Sequence, residues 1–226
     1  MKPQHHLDPA TLVSYAAGSL PEALAVVAAT HLGICPHCRA QLRDAENVGG
    51  QLLEQQIPDQ AEASRLARMR LTMLDRLDDP ALAVPSPVPS REATTTTVDP
   101  DRLPEPLHPY FGSSYRALRW RWVAPGVRFL RAAGTRGATL IMLKIAPGKS
   151  MPVHSHGGSE ITQILQGAYD DALGHFGTGD IADLDSETEH QPVTSPGVPC
   201  ICVAALDAPL HFPGWLARTM QPLVGL

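Results

Sequence analysis

The sequence predicts two domains of different class: an all-α domain over residues 1–79 and an all-β sandwich or jelly-roll barrel over residues 110–226, joined by a proline-rich linker over 80–109. Three observations carry this. Apolar residues recur at helical spacing as far as Leu77, the spacing shifts toward two beyond residue 119, and the stretch between is punctuated by Pro80, Pro85, Pro87, Pro89, Pro100, Pro104, Pro106 and Pro109. A segment of that composition, which also holds the threonine run from Thr94 to Thr97, forms no packed core and behaves as a semi-extended spacer.

The helical half can be taken in order. Asp8 before Pro9 is a helix start, because the carboxylate caps free N–H groups and proline at the first position loses nothing. Leu12, Val13, Tyr15, Ala16 and Ala17 follow, and Gly18 supplies a stop. Ser19 with Glu22 reads as a capping box opening a second helix through Leu24, Val27, Ala28 and His31. Cys35 and Pro36 turn the chain into a third helix, Cys38 to about Gln56, weakly interrupted at Gly49 and Gly50. After the break at Pro58, Ala61 to Leu77 forms a fourth, with Leu66, Met69, Met73, Leu74 and Leu77 apolar.

Four short helices bury only a marginal core, a deficit that a structural ion closes. His31, Cys35 and Cys38 stand at i, i+4 and i+7, on one face and within reach of one ion. The fourth ligand is expected from His6 or its neighbour His5, giving a closed tetrahedral His2Cys2 zinc site; His37 is expected to be solvated. A redox reading of the Cys-x-x-Cys pair is disfavoured because no strand-turn-helix pattern precedes Cys35.

The second half reads as short strands: Trp120 to Val123, Val127 to Leu130, Ala138 to Ile145, Glu160 to Gln166, Ala168 to Tyr169, Cys200 to Ala205 and Leu210 to Phe212. His154 and His156 project from one face of a strand, Glu160 opens the next, and His190 returns from a distant one. Three imidazoles and a carboxylate suit Zn2+, Mn2+ or Fe2+ without deciding among them. Cys200 and Cys202 also share a strand face, either as oxidant targets or as small buried hydrophobes.

Whole-chain properties narrow the function. The 226 residues are 43% hydrophobic, enough for one large or two small cores, and a net charge of -5 leaves no electrostatic footprint for nucleic acid or an anionic membrane. No signal sequence and no membrane-length apolar run is recognisable, and four cysteines in two close pairs do not make a secreted disulfide framework, so a cytoplasmic protein is expected.

Gly148-x5-His154-x-His156-x3-Glu160-x6-Gly167 resembles the first cupin motif at every position, and Gly179-x10-His190 resembles the second. The second departs where Asp185 to Glu187 stand for the usual Pro-x-Gly and Thr194 for the terminal Asn. The first half, with His6, His31, Cys35 and Cys38, resembles the zinc-binding anti-sigma domain, and the two modules together resemble the ChrR-type anti-sigma factors over nearly the whole chain. The resemblance implies a non-enzymatic inhibitor that forms a one-to-one complex with an extracytoplasmic-function sigma factor and is released on singlet-oxygen-like stress sensed by the cupin domain. It implies zinc on His6, His31, Cys35 and Cys38, and zinc or another divalent metal on His154, His156, Glu160 and His190. The surplus apolar faces of the first and fourth helices fit a partner groove. The alternative is a metal-dependent cupin dioxygenase or isomerase with a zinc-stabilised helical accessory domain.

Overall fold

A computed structural model describes residues 2–57, 63–77, 99–135 and 137–212. It has the expected fold class, helices first and an antiparallel β-barrel of cupin type after them. The expected linker falls outside the described residues over 80–98.

Helix α1 (Pro9–Ala16) starts as its sequence dictates, with the Ala10 N–H donating to the Asp8 carboxylate at 2.7 Å. Gly18 ends it at φ +66°. Helix α2 (Glu22–Leu32) does not use the expected capping box: Pro21 occupies the N-cap, and the Ser19 hydroxyl donates back to the Ser14 carbonyl at 3.1 Å. The tight turn after Gly18 commits Ser19 to the end of α1 rather than to the start of α2. Helix α3 (Pro36–Glu54) runs through Gly49 and Gly50, and α4 (Ala63–Leu77) buries none of its side chains. No helix among the described residues is long and apolar enough to cross a membrane.

The final residues of the expected linker are ordered structure rather than spacer. A 3-10 turn (Glu105–Leu107) leads into a one-turn helix α5 (His108–Phe111), and Leu103 and Leu107 are fully buried beside α2. The prolines here set helix starts, Pro106 and Pro109 each standing in a first turn.

The strands are β1 (Arg121–Ala124), β2 (Val127–Arg131), β3 (Thr139–Ile145), β4 (Ser155–His156), β5 (Glu160–Gln166), β6 (Ala168–Asp171), β7 (Gly174–Gly177), β8 (Ile181–Leu184), β9 (Val193–Thr194), β10 (Cys200–Leu206) and β11 (Leu210–His211). Six pair in the order β1-β2-β3-β10-β5-β8; β7-β6-β9 and β11-β4 form the smaller sheets, every pairing antiparallel. Gly167, at φ +75°, turns the chain from β5 to β6 where a Cβ would stand 2.7 Å from the Pro199 carbonyl oxygen.

The central strands β5 and β10 of the large sheet are buried on both faces. Along β10, Ile201, Val203 and Ala205 pack in one cluster with Leu24, Val27 and Ala28 of α2, whereas Cys200, Cys202 and Ala204 turn to the barrel interior. Such two-sided burial makes β10 a continuous apolar run rather than an alternating one. It also explains α2, seven of whose eleven residues are buried: a helix apolar on every side is sandwiched rather than amphipathic. Packing groups residues 1–47 with 101–226 in one compact unit and 48–100 in a second.

Two candidate metal centres

The first centre gathers His6, His31, Cys35 and Cys38, whose ligand atoms all lie within 4.8 Å of one another. His6 Nδ1 is 3.4 Å from Cys35 Sγ, and His31 Nε2 is 3.4 Å from Cys38 Sγ. Bonds of about 2.0 to 2.3 Å at tetrahedral angles separate neighbouring ligands by roughly 3.5 Å, so the set fits one such ion. Helix α2 supplies His31, and Cys35 and Cys38 sit at the start of α3, where the Cys38 N–H points at Cys35 Sγ at 3.4 Å.

Burial tunes the ligands. His31 is wholly buried, and desolvation pulls its pKa down to about 4, so at neutral pH it offers a lone pair rather than a proton. Desolvation lowers His6 as well and pushes the Cys38 thiol up to about 11. His5 is drawn elsewhere: its ring stacks on Phe176 with centroids 4.0 Å apart, and its Nε2 lies 3.0 Å from the His175 carbonyl oxygen. Between the two N-terminal histidines, His6 is therefore the one in the cluster. His37 is exposed, although its ring lies 4.3 Å from that of His6.

The second centre lies inside the barrel. His154, His156 and His190 bring their ring nitrogens within 4.8 Å of one another. His154 and His190 face each other across a two-way backbone bridge, each N–H donating to the other's carbonyl at 3.1 and 3.0 Å. Behind the rings, His154 Nδ1 is 2.9 Å from the Pro152 carbonyl and His190 Nδ1 is 3.0 Å from the Asp171 carboxylate. Both partners can only accept, so both protons sit on Nδ1 and both Nε2 atoms present lone pairs. Those Nε2 atoms are 3.0 Å apart. Two lone pairs so close repel unless a cation or a proton lies against them, which is the donor chemistry a metal fits.

Glu160 is outside the mutual set of three imidazoles and leans on one of them, its Oε2 3.1 Å from His156 Nε2, while its Oε1 accepts from the Thr162 hydroxyl at 2.8 Å. Burial pulls His156 down, but the carboxylate prevails and its pKa is raised. Burial also lowers His154, against the pull of Glu160. A cavity of about 540 Å³ opens onto His154, His190 and Glu160, walled by apolar groups such as Leu143, Ile145 and Met151. Cys200 and Cys202 line it too, both buried and free, with the Cys202 thiol held well above the usual range by its hydrogen bond to Cys200 and by burial.

The turn that departs from the cupin pattern is built differently rather than lost. Asp185 Oδ1 accepts from the Glu187 N–H at 3.1 Å and the Thr188 hydroxyl at 2.8 Å, closing a side-chain turn in place of Pro-x-Gly. Thr194 donates to the Ala146 carbonyl at 2.7 Å and accepts from the Lys149 N–H at 2.9 Å. Two roles carry no signal in the sequence: that of Asp171, which orients His190, and that of the motif glycine Gly179 at the first centre, where its carbonyl lies 3.0 Å from His31 Nδ1. Each residue is close to its histidine in space only, 19 and 148 residues away along the chain.

A family model described as the ChrR cupin-like domain matches residues 112–208. The anti-sigma-E factor ChrR of Cereibacter sphaeroides is 41% identical over 219 residues, covering 97% of each chain. Among solved structures, a crystal structure of Rhodobacter sphaeroides SigE in complex with the anti-sigma ChrR matches with a TM-score of 0.69 and 37% identity, over 91% of this chain and 99% of the matched one.

Proposed function

The chain belongs to the ChrR family of anti-sigma factors, and we propose that it binds one extracytoplasmic-function sigma factor, one to one, and keeps it from core RNA polymerase. The inhibitory part is the helical segment 1–79, and the cupin part, 110–226, reports oxidant stress of the singlet-oxygen kind and ends the inhibition. The protein acts in the cytoplasm, without touching nucleic acid or membrane itself.

The observation that carries this reading is the bare apolar stripe of α4. Leu66, Met69, Met73 and Leu77 follow one another at helical spacing, each at least 45% exposed. The end of α3 adds Leu52 and Leu53, at 60% and 68%. Exposed apolar side chains of this kind mark a binding face.

Zinc fits the first centre, where His6, His31, Cys35 and Cys38 would hold it; a closed His2Cys2 set supplies folding energy and leaves no position for substrate. His154, His156 and His190, with Glu160 against them, would hold a second divalent metal. A second reading, a cupin dioxygenase or isomerase, draws on the cavity of about 540 Å³ beside that set. Substrate-dependent oxygen uptake by the iron-loaded chain separates it from a regulator.

The test is reconstitution. The chain mixed with extracytoplasmic-function sigma factors of its own genome gives a one-to-one complex by light scattering, and sigma-dependent transcription stops. A chain that ignores every one of them overturns the proposal.

A further inference from the structure

We propose that Gly179 and Asp180, in the β7–β8 turn of the barrel, are positioning residues of the first metal centre, Gly179 setting the ligating face of His31 and Asp180 pinning the chain that carries His6. This rests on the reading that zinc occupies that centre.

His31 is fully buried and its Nδ1 lies 3.0 Å from the Gly179 carbonyl oxygen. A carbonyl only accepts, so the ring proton is fixed on Nδ1 and the Nε2 lone pair is turned to Cys38 and the centre. Asp180 is buried, and its Oδ1 accepts from the backbone N–H groups of Gln4 and His5, at 2.5 and 3.1 Å, immediately ahead of His6. Gly179 has φ +97°, and a Cβ there would stand 3.2 Å from Ile34 Cδ1 and 3.6 Å from Pro3 Cγ. The turn thus packs against both segments that deliver ligands, one ending at Cys35 and the other at His6.

The barrel, in turn, fixes the turn. Gly179 N–H donates to the Ile164 carbonyl at 2.8 Å, Ile164 N–H to the Asp180 carbonyl at 3.0 Å, and the Gly177 N–H to Asp180 Oδ2 at 2.9 Å. From here β8 runs on to Leu184, the register partner of Glu160 on β5. Ligand groups held from outside their own coordination sphere by such partners lose metal affinity when the partner is removed.

The experiment uses the zinc-loaded full chain and a competing chelator, with the zinc equivalent missing from Cys38→Ala identifying the first centre. Asp180→Ala weakens that equivalent about 10- to 100-fold, and Asp180→Asn, which keeps an acceptor, weakens it less. Thr178→Ala removes only the hydroxyl bond to the Gly167 carbonyl in the same turn and leaves zinc unchanged. Thermal unfolding of the zinc-free variants gives the structural cost of each substitution, so a positioning effect is read as zinc loss beyond that cost. Unchanged affinity in Asp180→Ala, or an equal loss in Thr178→Ala, overturns the proposal. If no zinc equivalent disappears in Cys38→Ala, the zinc reading of the centre itself fails, and this proposal with it.

Discussion

The two centres are built from opposite materials. In the first, three ligands lie within eight residues at a helix junction, the fourth arrives from His6, and two are thiols. In the second, three imidazoles from the segment around β4 and from the distant His190 converge beside a cavity of about 540 Å³, with the Glu160 carboxylate against one of them. Soft, closed sets serve structure, whereas hard, open ones serve exchange with a small molecule or a change of state. The difference teaches what an ion would add to each: in the first centre it would tie His6 and α2 to the start of α3, whereas the strands around the second already share an apolar core.

The largest break in that contrast comes from Cys38→Ala. It removes the zinc equivalent of the first centre and more than about 5 kcal/mol from the packing of the first helices, read as accelerated hydrogen exchange across α2 with the barrel amides still protected. In the unaltered chain, zinc uptake at this centre releases the Cys38 proton at pH 7, because burial holds that thiol at about 11; calorimetry in buffers of different ionisation enthalpy measures it. Gly167→Ala gives the converse result. Left-handed backbone and a Cβ 2.7 Å from a carbonyl oxygen cost the barrel about 3 kcal/mol in urea unfolding, while the first zinc equivalent stays bound. The smallest effect sharpens the helical side alone: Asp8→Ala costs about 1 kcal/mol as a lost cap, and Ser19→Ala costs less than about 0.5 kcal/mol because no capping box forms.

Much of this was legible in the sequence where ligands follow local rules. His31, Cys35 and Cys38 obey helical spacing, and His154, His156, Glu160 and His190 follow a glycine-marked motif, so both clusters could be read before the structure. What was not legible depends on residues that meet only in three dimensions. The roles of Asp171 behind His190 and of Gly179 behind His31 carry no spacing signal. Short strands such as β7 and β9 lack the length for a period to show. The packing of α2 on β10 did leave a trace that the reading passed over: Ala23, Leu24, Val27, Ala28 and Leu32 surround the helix instead of forming one stripe, which a four-helix domain alone does not require. Leu103 and Leu107 were hidden by the prolines around them, taken for spacer although they start helical turns.

On the proposed reading, the thiol-bearing centre holds the inhibitor together while the barrel centre governs its release. The most direct measurement is the affinity of the chain for its sigma factor in Cys35→Ala and in His154→Ala. The expected result is a loss of binding of at least about 100-fold, or 2.7 kcal/mol, in the first and near-unaltered binding in the second. Full binding by Cys35→Ala, or loss of binding confined to His154→Ala, would contradict it.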